Sequence, residues 1–259
     1  RARAVMNVAL TEDKYSEAVE LYDRALARSP ASVGAAAGMA NVLAVRAHYL
    51  KPNAAVEDMR RADGLIKAAL AAAPDSAGVH YVMGQVLRLQ GHCEEAIDEY
   101  QAAIALNRNY ADAYAFLGAC LLYTGRISPL MPLLTKAVRL DPTNKGVGWV
   151  YLRAGVATLF ETRNDEAIIW LEKARAALAA RQLRDDLSAT HSWLAAVYGL
   201  NGDTSRASAA LAQAKAVGPF PKSIGDFCGR GCWCENPAVK SLVNDTYYKG
   251  LQLAGWSEQ

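Results

Sequence analysis

Apolar residues recur at spacings of three and four along most of the chain, in paired runs separated by a turn marked with Gly or Pro. That spacing lays one apolar stripe along an amphipathic α-helix, so each pair of runs predicts a helical hairpin. In AGVHYVMGQVLRLQGHCEEAIDEYQAAIALNRNY (77 to 110), Met83, Leu87, Ile97 and Tyr100 fall on the stripes and Gly91 marks the turn. Laid over ADAYAFLGACLLYTGRISPLMPLLTKAVRLDPTN (111 to 144), this stretch puts Gly84 on Gly118, Gly91 on Gly125 and Ala103 on Ala137. Small residues at Gly84, Ala96 and Ala103 stand where helices must cross closely, and Pro142 ends a second helix.

The register extends in both directions. Upstream, KYSEAVELYDRALARSP supplies Ala18, Tyr22, Ala25 and Pro30 as a second helix. VGAAAGMANVLAVRAHYLKP then gives an overlong first helix, with an insertion near Lys51 to Val56 before RRADGLIKAALAAAP closes at Pro74. Downstream, Gly155, Ala167, Leu171 and Ala174 fall in register, as do Ala195, Tyr198, Gly202, Ala207, Leu211 and Ala214. A hairpin cannot bury its own apolar stripe, so stacked neighbours must share one core. The expected fold is therefore all-α, a right-handed α-solenoid of about six hairpins closed by a C-terminal capping helix. Its expected limits are residues 1–221, with repeats near 1–32, 33–76, 77–110, 111–144, 145–181 and 188–221. Residues 222–259 form a Cys-containing loop and the capping helix, in which Val239, Leu242, Val243, Tyr247 and Leu251 would cover the exposed end.

The period of 34 residues resembles the tetratricopeptide (TPR) repeat, specifically over 77 to 144. GQVLRLQGHCEEAIDEYQAAIALN, IIWLEKARA, HSWLAAVYGLNGD and the tail DTYYKGLQLAGWSE also resemble the C-terminal repeat region of bacterial class III adenylate or guanylate cyclase-like proteins. In those proteins a catalytic or winged-helix domain, often with a TolB-like segment, precedes the repeats. This resemblance implies a regulatory module without catalytic residues of its own, set in a bacterial, cytoplasmic protein. Because the chain opens at Arg1 without Met, a fragment or a processed product is expected.

The TPR resemblance implies that the first helix of each hairpin lines a concave groove. Helical spacing then sets Tyr81, Gln85 and Arg88 on one stripe, and Ala115, Ala119, Leu122 and Tyr123 on the next. Trp149, Leu152, Val156, Leu159 and Phe160 follow, with Asn41 as the matching polar position on the earlier helix. Such a wall, apolar and aromatic with a few polar anchors, suits a peptide that inserts hydrophobic side chains. Trp149, Leu159 and Phe160 have packing between hairpins as their competing role. The Lys and Asn cluster with which some TPR proteins grip a C-terminal carboxylate is missing.

Composition narrows the partners. The formal net charge is only +2, from 28 basic and 26 acidic residues, and basic residues are scattered without interleaved aromatics, so nucleic acid is not an expected partner. No apolar run reaches the roughly 18 residues of a membrane span, and the N-terminal stretch turns polar too soon for a signal peptide. The expected partner is a protein or peptide, including other domains of the same polypeptide. Self-association into a homodimer, through the ends or the overlong helix, is the alternative.

Three of the five cysteines, Cys228, Cys232 and Cys234, lie beside Trp233 in FCGRGCWCENP. A tetrahedral metal site commonly takes four ligands in two close pairs, and here there are three. Buried thiol packing anchored by Trp233 is the favoured reading; a disulfide, an adventitious metal, or a metal- or thiol-dependent activity there is the alternative. No cofactor is implied. Cys93 and Cys120 read as structural, His48, His80, His92 and His191 as packing or surface residues, and Glu94/Glu95, Asp98/Glu99 and Asp185/Asp186 as solvated charge, the last pair in a loop. GVG (146 to 148) and GRG (229 to 231) are too short to cradle a phosphate, and no HExxH, nucleophile elbow or Walker loop accompanies any of these groups.

Overall fold

The structure, a computed structural model, describes residues 11–49, 55–218, 220 and 236–257, and no strand occurs among them. The all-α helical repeat expected from the periodicity is what the chain forms. It divides into two compact units, Arg1–Cys120 and Leu121–Gln259.

The first unit holds α1 (Glu12–Arg28), α2 (Val33–Tyr49), α3 (Ala55–Ala72), α4 (Ala77–Leu89), α5 (Cys93–Leu106) and the start of α6 (Ala111–Tyr123). Its core joins Tyr15, Ala18 and Tyr22 of α1 to Met39 and Leu43 of α2 and Ile66 of α3. A Cβ on Gly38 would overlap the Tyr22 phenol, so the glycine lets the tyrosine lie flat on α2. The α2–α3 pair is tied by a bidentate ion pair, Arg46 Nε and Nη2 each donating over 2.7 Å to Asp58. Both side chains are largely buried, at 12% and 9% exposure, so this pair is desolvated and geometrically specific.

The second unit holds α7 (Leu130–Leu140), α8 (Val147–Phe160), α9 (Asn164–Ala179), α10 (Arg184–Leu200) and α11 (Thr204–Val217). The C-terminal helix follows: α12 (Pro237–Val243), a π-helical turn (Asn244–Tyr248) and α13 (Lys249–Leu253). Asn236 caps it by accepting from the Ala238 and Val239 amides, and Pro237 takes the first helical position, where its missing N–H is no loss.

The tight turns inside the hairpins share one device. Gly91, Gly125 and Gly202 adopt left-handed backbone, with φ of +91°, +79° and +74°. The next amide then reaches back to a carbonyl of the last helical turn: His92 to Leu87 (2.9 Å), Arg126 to Leu121 (2.8 Å) and Asp203 to Tyr198 (3.0 Å). In the α8–α9 turn the same place is held by Thr162 at φ 60°, with Arg163 N–H donating to Thr158 over 2.9 Å. A β-branched residue is strained in that region.

Two differences from the sequence reading bear on the site. Asp185 and Asp186 lie in the first turn of α10, not in a loop, because that helix begins at Arg184. The C-terminal helix does not simply close an end. It runs from the turn after α6, where Asn236 Nδ2 donates to the Thr124 carbonyl over 3.0 Å, to the last turns of α10. Small residues on α10 leave it room there.

Candidate protein-binding site

The first helices share a register set by small residues against the second helix of the hairpin. A Cβ on Gly84 would come 2.8 Å from the Tyr100 ring, and one on Gly155 would come 2.6 Å from Leu171, in each case sixteen residues further along. Ala195 and Leu211 keep that separation, and both are buried. In this register Asn41, Gln85, Ala119, Val156 and Ala196 are equivalent positions, and so are Tyr81, Leu152 and Ser192.

In the first unit, Gln85 is 5% exposed and its amide is used by the protein itself. Its Oε1 accepts from Tyr100 Oη (2.8 Å) and Arg88 Nε (3.1 Å), and its Nε2 donates to Tyr81 Oη (2.9 Å). Burial pushes the Tyr81 and Tyr100 hydroxyls well above the ordinary tyrosine range, so both stay neutral. Around them stands an aromatic ledge. Tyr81 packs 4.8 Å from Tyr110 and 6.1 Å from Phe116, and the Arg88 guanidinium lies 4.9 Å over the Phe116 ring. Tyr81, Arg88, Tyr110 and Phe116 are all half-buried, presenting rings and a cation whose orientations are already set. Asn41 occupies on α2 the place that Gln85 occupies on α4, but its Oδ1 is buried with no hydrogen-bond partner among the described residues.

The remaining expected residues lie in the second unit. Leu152 and Phe160 are buried, at 7% and 6% exposure, and Phe160 packs edge-on 6.0 Å from Trp193. These two serve the interior rather than an open wall, since α8 is buried on every side from Leu152 to Phe160. Trp149 is half-buried with the Arg153 guanidinium 5.9 Å from its ring, and Tyr123 is half-buried at the end of α6.

Sequence reasoning missed what covers the equivalent face of α10. Tyr247 of the C-terminal helix lies 4.3 Å from Trp193, and its Oη donates to Ser192 Oγ over 2.9 Å. One turn on, Gly250 meets the Ala196 carbonyl and Gly199 meets the Gly250 carbonyl, each so closely that a Cβ would overlap the opposing backbone. Ser192, Ala196 and Gly199 hold the positions of Tyr81, Gln85 and Arg88. The signal was present in the sequence as two glycines inside otherwise helical runs, where glycine is destabilising unless a close approach requires it.

Among the described residues no catalytic constellation assembles around the candidate groups. His80 is held between Glu99 Oε2 and the Pro74 carbonyl, each 2.7 Å away. Burial lowers the pKa of His48 and of His191, helped by the cations of Arg88 and Arg175 respectively. Burial, with Asp185 alongside, pushes the Asp186 carboxyl up to about 7 against the pull of Arg153. Among the described residues no three His, Cys, Asp or Glu side chains converge as a metal site, and no helix is long and apolar enough to cross a membrane. Cys93 and Cys120 are buried and form no disulfide; Cys228, Cys232, Trp233 and Cys234 lie outside the described residues.

Comparison with known proteins places this geometry in a class. The family described as TPR repeat matches residues 84–125. Among solved structures, BtubC from P. vanneervenii is similar at 21% identity and TM-score 0.59, covering 81% of this chain and 92% of that one. PilF of Pseudomonas aeruginosa is similar at 15% identity and TM-score 0.59, over 86% and 89% of the two chains. A putative kinesin light chain from Podosopora anserina, with nearly identical TPR-like repeats, matches at 16% identity and TM-score 0.53, over 69% and 92%. No curated protein matches the sequence. The chain is thus an all-α helical-repeat protein with a segment, residues 84–125, similar to the tetratricopeptide repeat.

Proposed function

We propose that the chain is a non-catalytic protein-interaction module that takes a partner segment on the faces of its first helices. The observation that carries this reading is the Asn41 carbonyl oxygen, buried with no hydrogen-bond partner among the described residues at a register position where α10 receives a packed helix. Leaving a buried acceptor unsatisfied costs about 1–3 kcal/mol, and groups left so in a folded protein mark places with a role beyond packing. Tyr81, Arg88, Tyr110 and Phe116 add oriented rings and a cation on the neighbouring first helix, the residue types that dominate binding energy at interfaces. Gln85 acts by holding Tyr81 and Arg88 in place.

The resemblance of the tail and repeats to bacterial class III cyclase-like proteins supports a cytoplasmic setting in which the module regulates domains of the same polypeptide. Peptides selected from a displayed library on the full chain test the reading. Selected ligands should lose about tenfold or more in affinity to Asn41→Leu and Tyr81→Ala, while Ile169→Ala, on the exposed face of a second helix, leaves them unchanged. Ligands indifferent to all three substitutions, or none selected, count against it.

A further inference from the structure

The C-terminal helix shows in detail what a first-helix face of this chain accepts. Val239, Val243, Tyr247 and Leu251, spaced four apart, are all 0–1% exposed. In a regular α-helix a spacing of four drifts by roughly 40° at each step, so this stripe would wind off its target. The π-helical turn at Asn244–Tyr248 turns by roughly 82° per residue instead of about 100°, which brings Tyr247 and Leu251 back into line with Val239 and Val243. Polar side chains, Lys240, Asn244, Asp245, Lys249 and Gln252, take the outer face. The segment is a weak helix by itself. It has short helical pieces, Gly250 in their midst, and Asn, Thr and two Tyr in the π turn, so its order derives from docking.

From this we propose that the α10 face of the second unit, with the turn at Thr124–Gly125, is a binding site for an amphipathic helix of a partner protein, and that residues 236–257 are its displaceable internal ligand. The inference rests on the reading that first-helix faces bind partners. It adds the ligand class and the regulation: an apolar stripe of Val or Leu spaced by four, an aromatic hydroxyl to reach Ser192, and a small residue three positions later to pass Gly199 and Ala196. A tethered occupant competes at an effective concentration near millimolar, so the site stays shut until a tighter helix arrives or the tail is held elsewhere.

A labelled peptide of residues 236–257, titrated into the full chain, tests this. The variant Val239→Asp/Leu251→Asp, with its resident helix weakened, should bind the peptide at least about tenfold more tightly than the unaltered chain. A peptide carrying Gly250→Leu should lose about tenfold or more, because that side chain meets the Ala196 backbone. A folded variant that ignores the peptide, or an unaltered chain that binds equally well, overturns the inference. Binding abolished by Asn41→Leu also overturns it, by placing the peptide on the first unit; loss of the library ligands with retention of this peptide would leave it standing while the first-unit reading is judged separately. If the double variant does not fold, hydrogen exchange on the unaltered chain decides. Amides of residues 239–253 exchanging at least about tenfold faster than those of α10 support release, and exchange in step with α10 excludes it.

Discussion

Gly199 of α10 and Gly250 of the C-terminal helix face each other across an approach that leaves no space for a methyl group on either. Because the opposing atoms are backbone, neither side can yield by a rotamer change. Gly199→Ala or Gly250→Ala should therefore lower stability by about 1–3 kcal/mol, the range for overpacking, seen as a lower melting temperature by circular dichroism. A Cβ on Gly64 of α3 would meet nothing within 4 Å, so Gly64→Ala should instead stabilise by about 0.5–1 kcal/mol.

Thr162 holds left-handed backbone where the neighbouring hairpins use glycine. Thr162→Gly should relieve strain of about 1 kcal/mol and raise the melting temperature despite the entropy that glycine adds to the unfolded chain. Gly91→Thr, the reverse exchange at the α4–α5 turn, should lower it by a similar amount.

The Gln85 amide joins three side chains at once. Gln85→Leu leaves the Tyr100 hydroxyl buried without its acceptor and should destabilise by about 1–3 kcal/mol, whereas Tyr100→Phe, which removes only the donor, should cost about 1 kcal/mol. Denaturant unfolding of the two variants distinguishes these outcomes by their midpoints.

Asp186 makes stability depend on pH with an inverted sign. Its carboxyl titrates at 3.8 when unperturbed and at about 7 in the fold, so between those values the folded state holds a proton the unfolded state has lost. The contribution is at its most favourable below about pH 4, falls as pH rises to about 7, and then levels off. Asp186→Asn should remove that slope, so that the difference in melting temperature between variant and unaltered chain grows in favour of the variant from pH 4 to 8. Helix-terminal N–H groups and Arg153 favour the charged form and limit the size of the effect.

What the sequence made legible was periodic. Gly84 with Tyr100 and Gly155 with Leu171 mark a repeated close crossing, and the all-α repeat follows from such pairs. Residue pairing across helices was not legible: Gln85 has the same register as Asn41, yet the fold satisfies one amide with Tyr81, Tyr100 and Arg88 and leaves the oxygen of the other without a partner among the described residues. The docking of the C-terminal helix was hidden for a related reason. Its apolar stripe announces that something is covered, but only the small residues at Ala196, Gly199 and Gly250 say where, and they do so jointly from segments far apart in sequence. The π turn follows from backbone hydrogen bonds that slip by one residue, for which the stripe spaced by four is the sole trace.

The most direct test of the central claim is a hydrogen-exchange footprint of the full chain with a library-selected peptide bound. Added protection should concentrate on α2 and α4, around Asn41 and from Tyr81 to Arg88, with α3 and α5 unchanged on their outer faces. Protection confined to those second helices, or none on α2 and α4, would contradict it.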